Sequence, residues 1–116
     1  MPHIHLQTTA NLVENTSISE ILENLVGVLS SIDTVDSRAV KGYHSLRSVW
    51  TMGEGAEPGF AFCEIAILAG RTDEAKQRIA DTMYRALTEA FAQSKAAGEV
   101  NLTLEVREMD KPTYRK

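Results

Sequence analysis

Near the midpoint of the chain, Gly53-Glu54-Gly55-Ala56-Glu57-Pro58-Gly59 packs three glycines and a proline into seven residues, and the order of elements before this break starts over after it. On the amino-terminal side, Pro2 to Thr8 alternates apolar Ile4 and Leu6 with polar His3, His5 and Gln7, the pattern of a half-buried strand. Ser17 and Glu20 stand in capping-box spacing, and Ile18, Ile21, Leu22, Leu25, Val28 or Leu29, and Ile32 recur at helical steps, which predicts an amphipathic helix over about 18–32. A polar connection with Asp33, Thr34, Asp36 and Ser37 leads to a second strand from Ala39 to Met52, rich in β-branched and aromatic residues and expected to bulge at Gly42.

Beyond the break, Phe60 to Leu68 is a largely apolar strand, closed by Ala69-Gly70-Arg71. Thr72 is placed as an N-cap with Asp73 and Glu74 in the first helical turn, and Ala75, Ile79, Met83, Leu87, Ala90 and Phe91 form one apolar face. Gly98 marks the stop. Val100, Leu102, Leu104 and Val106 then alternate strictly with Asn101, Thr103, Glu105 and Arg107. The expectation is an α+β fold of two fused β-α-β units: a four-stranded mixed sheet with two helices on one face. Residues 1–116 are read as one domain, with one repeat over about 2–52 and the other over about 60–110.

Composition narrows the function. The chain is 43% apolar with only 6% aromatics, so its core must be assembled from Leu, Ile, Val, Ala and Met. With both helices on one face, the other face of the sheet is bare, and closing several such sheets in a ring would bury it. Net charge −4 supplies no basic field for a phosphate backbone, so nucleic acid is not an expected partner. The start lacks the features of a secretory signal and no apolar run is long enough for a membrane span, so a cytoplasmic protein without membrane association is expected. Cys63 is the single cysteine and lies in an apolar run, where a buried structural thiol is the ordinary role. His3, His5 and His44 have no carboxylate or Cys at a fixed ligand spacing, so they are read as interface or surface residues in preference to a metal site.

Two residues point to chemistry. Pro2 follows Met1, and removal of Met1 would leave a secondary amine at the start of a strand; an α-amino group titrates near ~8, and apolar neighbours disfavour its cation, so it can act as a general base. Arg71 stands at a strand-to-helix junction, where its planar fork suits a carboxylate or a developing oxyanion. Taken alone, each has an ordinary structural reading.

The segment Ile67-Leu68-Ala69-Gly70-Arg71-Thr72-Asp73-Glu74-Ala75-Lys76-Gln77, with the helix and strand after it and Val106-Arg107-Glu108-Met109, resembles a 4-oxalocrotonate tautomerase subunit. The whole chain is similar to the 5-carboxymethyl-2-hydroxymuconate delta-isomerase family of the tautomerase superfamily. That likeness rests on Met1-Pro2-His3-Ile4, the two β-α-β units, Trp50-Thr51-Met52 before the central turn and Lys111-Pro112-Thr113-Tyr114 near the end. In the short tautomerases an arginine follows the proline by ten positions. Here Pro2 aligns with Leu12 in one half and Ala61 with Arg71 in the other, so each half retains one partner and the two make one composite site if the first and third strands run antiparallel.

The resemblance implies a 1,3-proton shift in an unsaturated 2-hydroxy or 2-keto carboxylic acid, with Pro2 as base, Arg71 holding a carboxylate, no metal or organic cofactor, and a homotrimer. The family pattern also has an arginine in the strand before the tryptophan; Lys41 occupies that place here, which keeps the charge and loses the fork. Related proline-dependent dehalogenase, hydratase or decarboxylase reactions, and a catalytically inactive trimeric binding protein, are the alternatives.

Overall fold

Alternating side chains on four strands and apolar stripes on the helices meet in one layer interface, and that interface sets the architecture. The structure, a computed structural model, describes residues 2–116; Met1, and with it the expectation that it is removed, lies outside the described residues. Strand β1 (His3–Thr9) leads through a 3-10 turn at Val13–Ser17 into α1 (Ile18–Ser30), and a second 3-10 turn at Ser37–Ala39 leads into β2 (Lys41–Arg47). After the central turn come β3 (Gly59–Leu68), α2 (Asp73–Ala90), α3 (Ala92–Ala96) and β4 (Val100–Met109), with a 3-10 turn at Lys111–Thr113. No helix among the described residues is long and apolar enough to cross a membrane.

The sheet order is β2-β1-β3-β4. Each helix returns its half parallel, β1 to β2 and β3 to β4, whereas β1 and β3 run antiparallel at the centre with His3 opposite Ala66 and Thr8 opposite Ala61. The start of β1 therefore lies at the same end of the sheet as the end of β3. The starts of β2 and the ends of β4 are at that end too, because each is parallel to its own neighbour.

Ile4, Leu6, Ala61, Cys63, Ile65 and Ile67 point from the two central strands into a core completed by Leu25 and Leu29 of α1 and Ile79, Met83 and Leu87 of α2. Phe91, fully buried, is the aromatic anchor of that core. The alternation places His3, His5, Gln7, Phe60, Phe62 and Glu64 on the opposite face, where the side chains remain only half-buried. His5 stacks on Tyr43 there with ring centres 4.5 Å apart.

Local departures from the sequence reading have physical causes. Ser17 makes no capping hydrogen bond, because the 3-10 turn before α1 brings the chain in already winding (φ −119°, ψ 24°) and not in the extended geometry that aims a hydroxyl at the third helical N–H. The helix ends at Ser30, two residues short of the predicted 32. Strand β2 is also shorter than 39–52: Ser37–Ala39 forms a turn, and Trp50 leaves the ladder to donate its indole N–H to the Pro58 carbonyl at 2.9 Å. Gly42 is not a bulge, since its pairing with Ile4 is part of an uninterrupted register. Its lack of a side chain instead makes room for α1: a Cβ there would lie 2.8 Å from Val26 Cγ2 and 3.2 Å from Leu22 Cδ1. Thr72 caps α2 as its spacing predicts, with Oγ1 accepting from the Ala75 N–H at 3.1 Å. The second helical segment breaks at Phe91 before Gly98, at φ +71°, ends it.

Candidate active site

Pro2, Thr34, Asp36, Leu68 and Arg71 line one pocket of about 130 Å³. Four separate parts of the chain reach it, each for a reason rooted in the topology. Pro2 precedes β1; Leu68 ends the antiparallel β3; Arg71 begins the turn into α2; Thr34 and Asp36 lie on the connection that brings the chain from α1 to the start of β2. The antiparallel central pair thus joins Pro2 and Arg71 at one end of the sheet.

The guanidinium of Arg71 is held in place from the other half of the chain. Its Nη2 donates to the Thr34 carbonyl at 2.9 Å, while Nε is buried without a hydrogen-bond partner. A buried donor left unpaired costs about 1–3 kcal/mol, and a bidentate carboxylate is the acceptor that suits an arginine fork. Leu68 supplies an apolar wall on the strand side. Asp36 places a carboxylate in the same lining and accepts the Arg38 backbone N–H on Oδ1 at 3.1 Å, which pins the turn that carries it.

Lys41 is tied to Pro2 through the backbone, its N–H donating to the Pro2 carbonyl at 3.1 Å. Its side chain is exposed and lies outside the residues that line the pocket. Across the ladder it faces His3, whose imidazole is held below its usual range first by burial and then by the Lys41 charge. Tyr114, from the carboxyl-terminal segment, meets His3 Nε2 through its hydroxyl at 3.1 Å.

The histidines engage different hydroxyls: His5 Nε2 lies 2.8 Å from Ser45 Oγ and His44 Nε2 lies 2.7 Å from Thr8 Oγ1. No group of three or more His, Cys, Asp or Glu that could hold a metal occurs among the described residues. The thiol of Cys63 is buried in the core, and burial, with the Glu64 charge adding to it, pushes it up to about 12. Such a thiol is not a nucleophile at neutral pH.

Thr34 and Asp36 carry no site motif in the sequence and read there only as a polar connection. The signal that locates them is topological: a parallel crossover must bring its connection back to the end of the sheet where β1 begins.

The family described as CHMI, 5-carboxymethyl-2-hydroxymuconate isomerase, matches residues 2–116. The chain belongs to this family. It is also similar to the crystal structure of a 5-carboxymethyl-2-hydroxymuconate isomerase from Deinococcus radiodurans R1, with 30% identity and a TM-score of 0.89 over 99% of this chain and 87% of that one. A second 5-carboxymethyl-2-hydroxymuconate delta-isomerase structure shares the fold at 15% identity and TM-score 0.84, over 100% of this chain and 87% of that one. A fused 4-OT described as a wild-type symmetric trimer does so at 17% identity and TM-score 0.72, covering 98% and 90% of the two chains. No curated protein matches the chain. Family and fold make the chain an isomerase of the tautomerase type.

Proposed function

We propose that this isomerase catalyses a 1,3-proton shift, enol to ketone, in an unsaturated 2-hydroxy or 2-keto carboxylic acid such as 5-carboxymethyl-2-hydroxymuconate, with the amine of Pro2 as the general base. The observation that carries this reading is that Pro2 and Arg71, from different halves of the chain, line one pocket. With Met1 removed, the nitrogen of Pro2 is a secondary amine; it takes the proton from the enol oxygen or the acidic carbon and returns it two carbons away. Arg71 spends one N–H of Nη2 on the Thr34 carbonyl, so Nε–H, the second Nη2 N–H and the Nη1 pair are the donors left to orient a substrate carboxylate and to stabilise the dienolate charge. Lys41, exposed beside the start of β1, adds positive charge at the approach and so favours polycarboxylate substrates.

We further take residues 1–116 as one domain of two repeats that assembles as a homotrimer in the cytoplasm, in the breakdown of aromatic acids. Support for assembly comes from the uncovered sheet face with Phe60 and Phe62, and from the apolar side chains of Tyr43, Leu46 and Val49, which are 52%, 53% and 90% exposed.

Mass spectrometry of the protein from its native cell tests the base directly and should find Met1 absent. Pro2→Ala should lower kcat for ketonisation of 2-hydroxymuconate-type acids by about 10²–10⁴-fold, the range of a positioned acid–base group. Full activity in that variant would overturn the assignment.

A further inference from the structure

The pocket holds a charged group that neither the proton shift nor carboxylate binding requires. Among the described residues that line it, Asp36 is the one carboxylate, exposed to solvent and sharing the lining with Pro2 and Arg71. We propose that Asp36 is a positioning residue for the base: its charge stabilises the protonated amine of Pro2 and raises the pH at which that amine becomes free to accept a proton. The inference rests on the reading of Pro2 as the base.

The segments around Pro2 carry two further carboxylates outside the lining, exposed Asp33 and Asp110, which accepts from the Thr113 hydroxyl at 2.7 Å; the other charges on them are cations or paired. Arg71 enters from the β3–α2 turn and disfavours an ammonium there, whereas Lys41 meets Pro2 only through a backbone hydrogen bond and its exposed side chain lies outside the lining. Arg38 sits on the same 3-10 turn as Asp36 with its side chain exposed, and His3, next along β1, is kept toward its neutral form by burial and Lys41. On α2 and β4, Lys76 is paired with Asp73 at 3.4 Å and with Glu108 at 3.5 Å. Tyr114 meets His3 through a neutral hydroxyl. Burial of Pro2 and the Arg71 guanidinium in the same lining both disfavour the protonated form of a prolyl amine. A carboxylate in the lining offsets part of that effect.

The geometry leaves one carboxylate oxygen for this role beside the capping of the 3-10 turn. Asp36 Oδ1 is engaged by the Arg38 N–H, which fixes the direction of the side chain, and Oδ2 has no protein partner among the described residues. An Asn can make the same capping contact through its carbonyl oxygen, so Asp36→Asn removes the charge and leaves the turn supported.

The deciding experiment uses protein with Met1 removed, confirmed by mass, with ¹⁵N-proline incorporated, and follows the Pro2 nitrogen by NMR from pH 5 to 10. Asp36→Asn should lower the amine pKa by about half a unit to one unit, and the acidic limb of kcat/KM should move down by the same amount, while Asp36→Glu should restore most of the wild-type value. An amine pKa that is unchanged or raised in Asp36→Asn overturns the proposal, whatever happens to activity. Pro2→Ala, assayed in parallel, separates the two readings: loss of activity there with an unmoved amine pKa in Asp36→Asn refutes only the role of Asp36. A thermal melt of each variant identifies any effect that comes from the fold.

Discussion

Arg71 uses one N–H on the Thr34 carbonyl, and in the role proposed for it the rest of the fork takes the substrate carboxylate, so its identity should matter more than its charge. A lysine can keep the contact to Thr34 or reach the substrate, but cannot do both with directed donors. Arg71→Lys should therefore lower kcat/KM toward a 2-hydroxymuconate-type acid by about 10²-fold or more, measured by steady-state kinetics at fixed ionic strength. Lys41→Ala, by contrast, removes an exposed charge outside the pocket lining and should raise KM a few-fold, more at low salt, with kcat nearly unchanged. His44 adds a pH dependence. Its imidazole is held below 6.5 by burial and by the nearby His5, so the folded state binds its proton less readily than the unfolded chain. The stability contributed by the neutral ring is present above about pH 6.5 and is lost as pH falls through its lowered folded pKa. Chemical denaturation of wild type and His44→Gln across pH 7 to 5 should show a shallower decline in the variant.

Elements here are held by contacts between halves as much as by their own propensities. Helix α3 is five residues long and its N-cap residue, Phe91, offers no side-chain hydrogen bond. The cap comes from the first half of the chain: buried Glu14 accepts the Ser94 N–H at 2.9 Å with one carboxylate oxygen and the Ser94 hydroxyl with the other. Glu14→Ala should cost about 1–3 kcal/mol in urea denaturation, because it leaves the Ser94 donors buried and unpaired. Gly42 is a second such contact, where β2 passes under α1. Gly42→Val should destabilise by about 1–3 kcal/mol, since a branched side chain must displace Val26 and Leu22. Neither contact has a local signal in the sequence. Gly42 looks like a bulge because a glycine inside a strand pattern normally marks one, and only the position of α1 shows that its role is clearance. Strand β2 stops short of its propensity for a related reason: Val49 and Trp50 have high strand propensity, yet Trp50 is turned away by its bond to the central turn and Val49 is left 90% exposed.

At the scale of the whole molecule, the sheet has one face packed by helices and one face without a layer over it. Apolar side chains on an uncovered face and on the edge strand β2 are the reason to expect assembly, which size-exclusion chromatography with light scattering should report as a mass three times 12.8 kDa. Phe62→Glu should shift that mass toward the monomer, whereas a monomeric wild type at micromolar concentration would refute the trimer. The order of the four strands and two long helices, the parallel return within each half and the alternation of β1 and β4 were legible in the sequence, because helical and strand periodicities are local and a helical crossover leaves little choice of direction. Pro2 and Arg71 were legible as a pair through the resemblance to the tautomerases and the arithmetic of the repeat. Tertiary structure alone decided that Thr34 steadies Arg71, that Asp36 shares the pocket with Pro2, and that the Lys41 side chain stays outside it. The physical reason is that the pocket is built where four chain segments end. Periodicity specifies the elements themselves, but the path of the connections between them depends on contacts with residues far away in the chain.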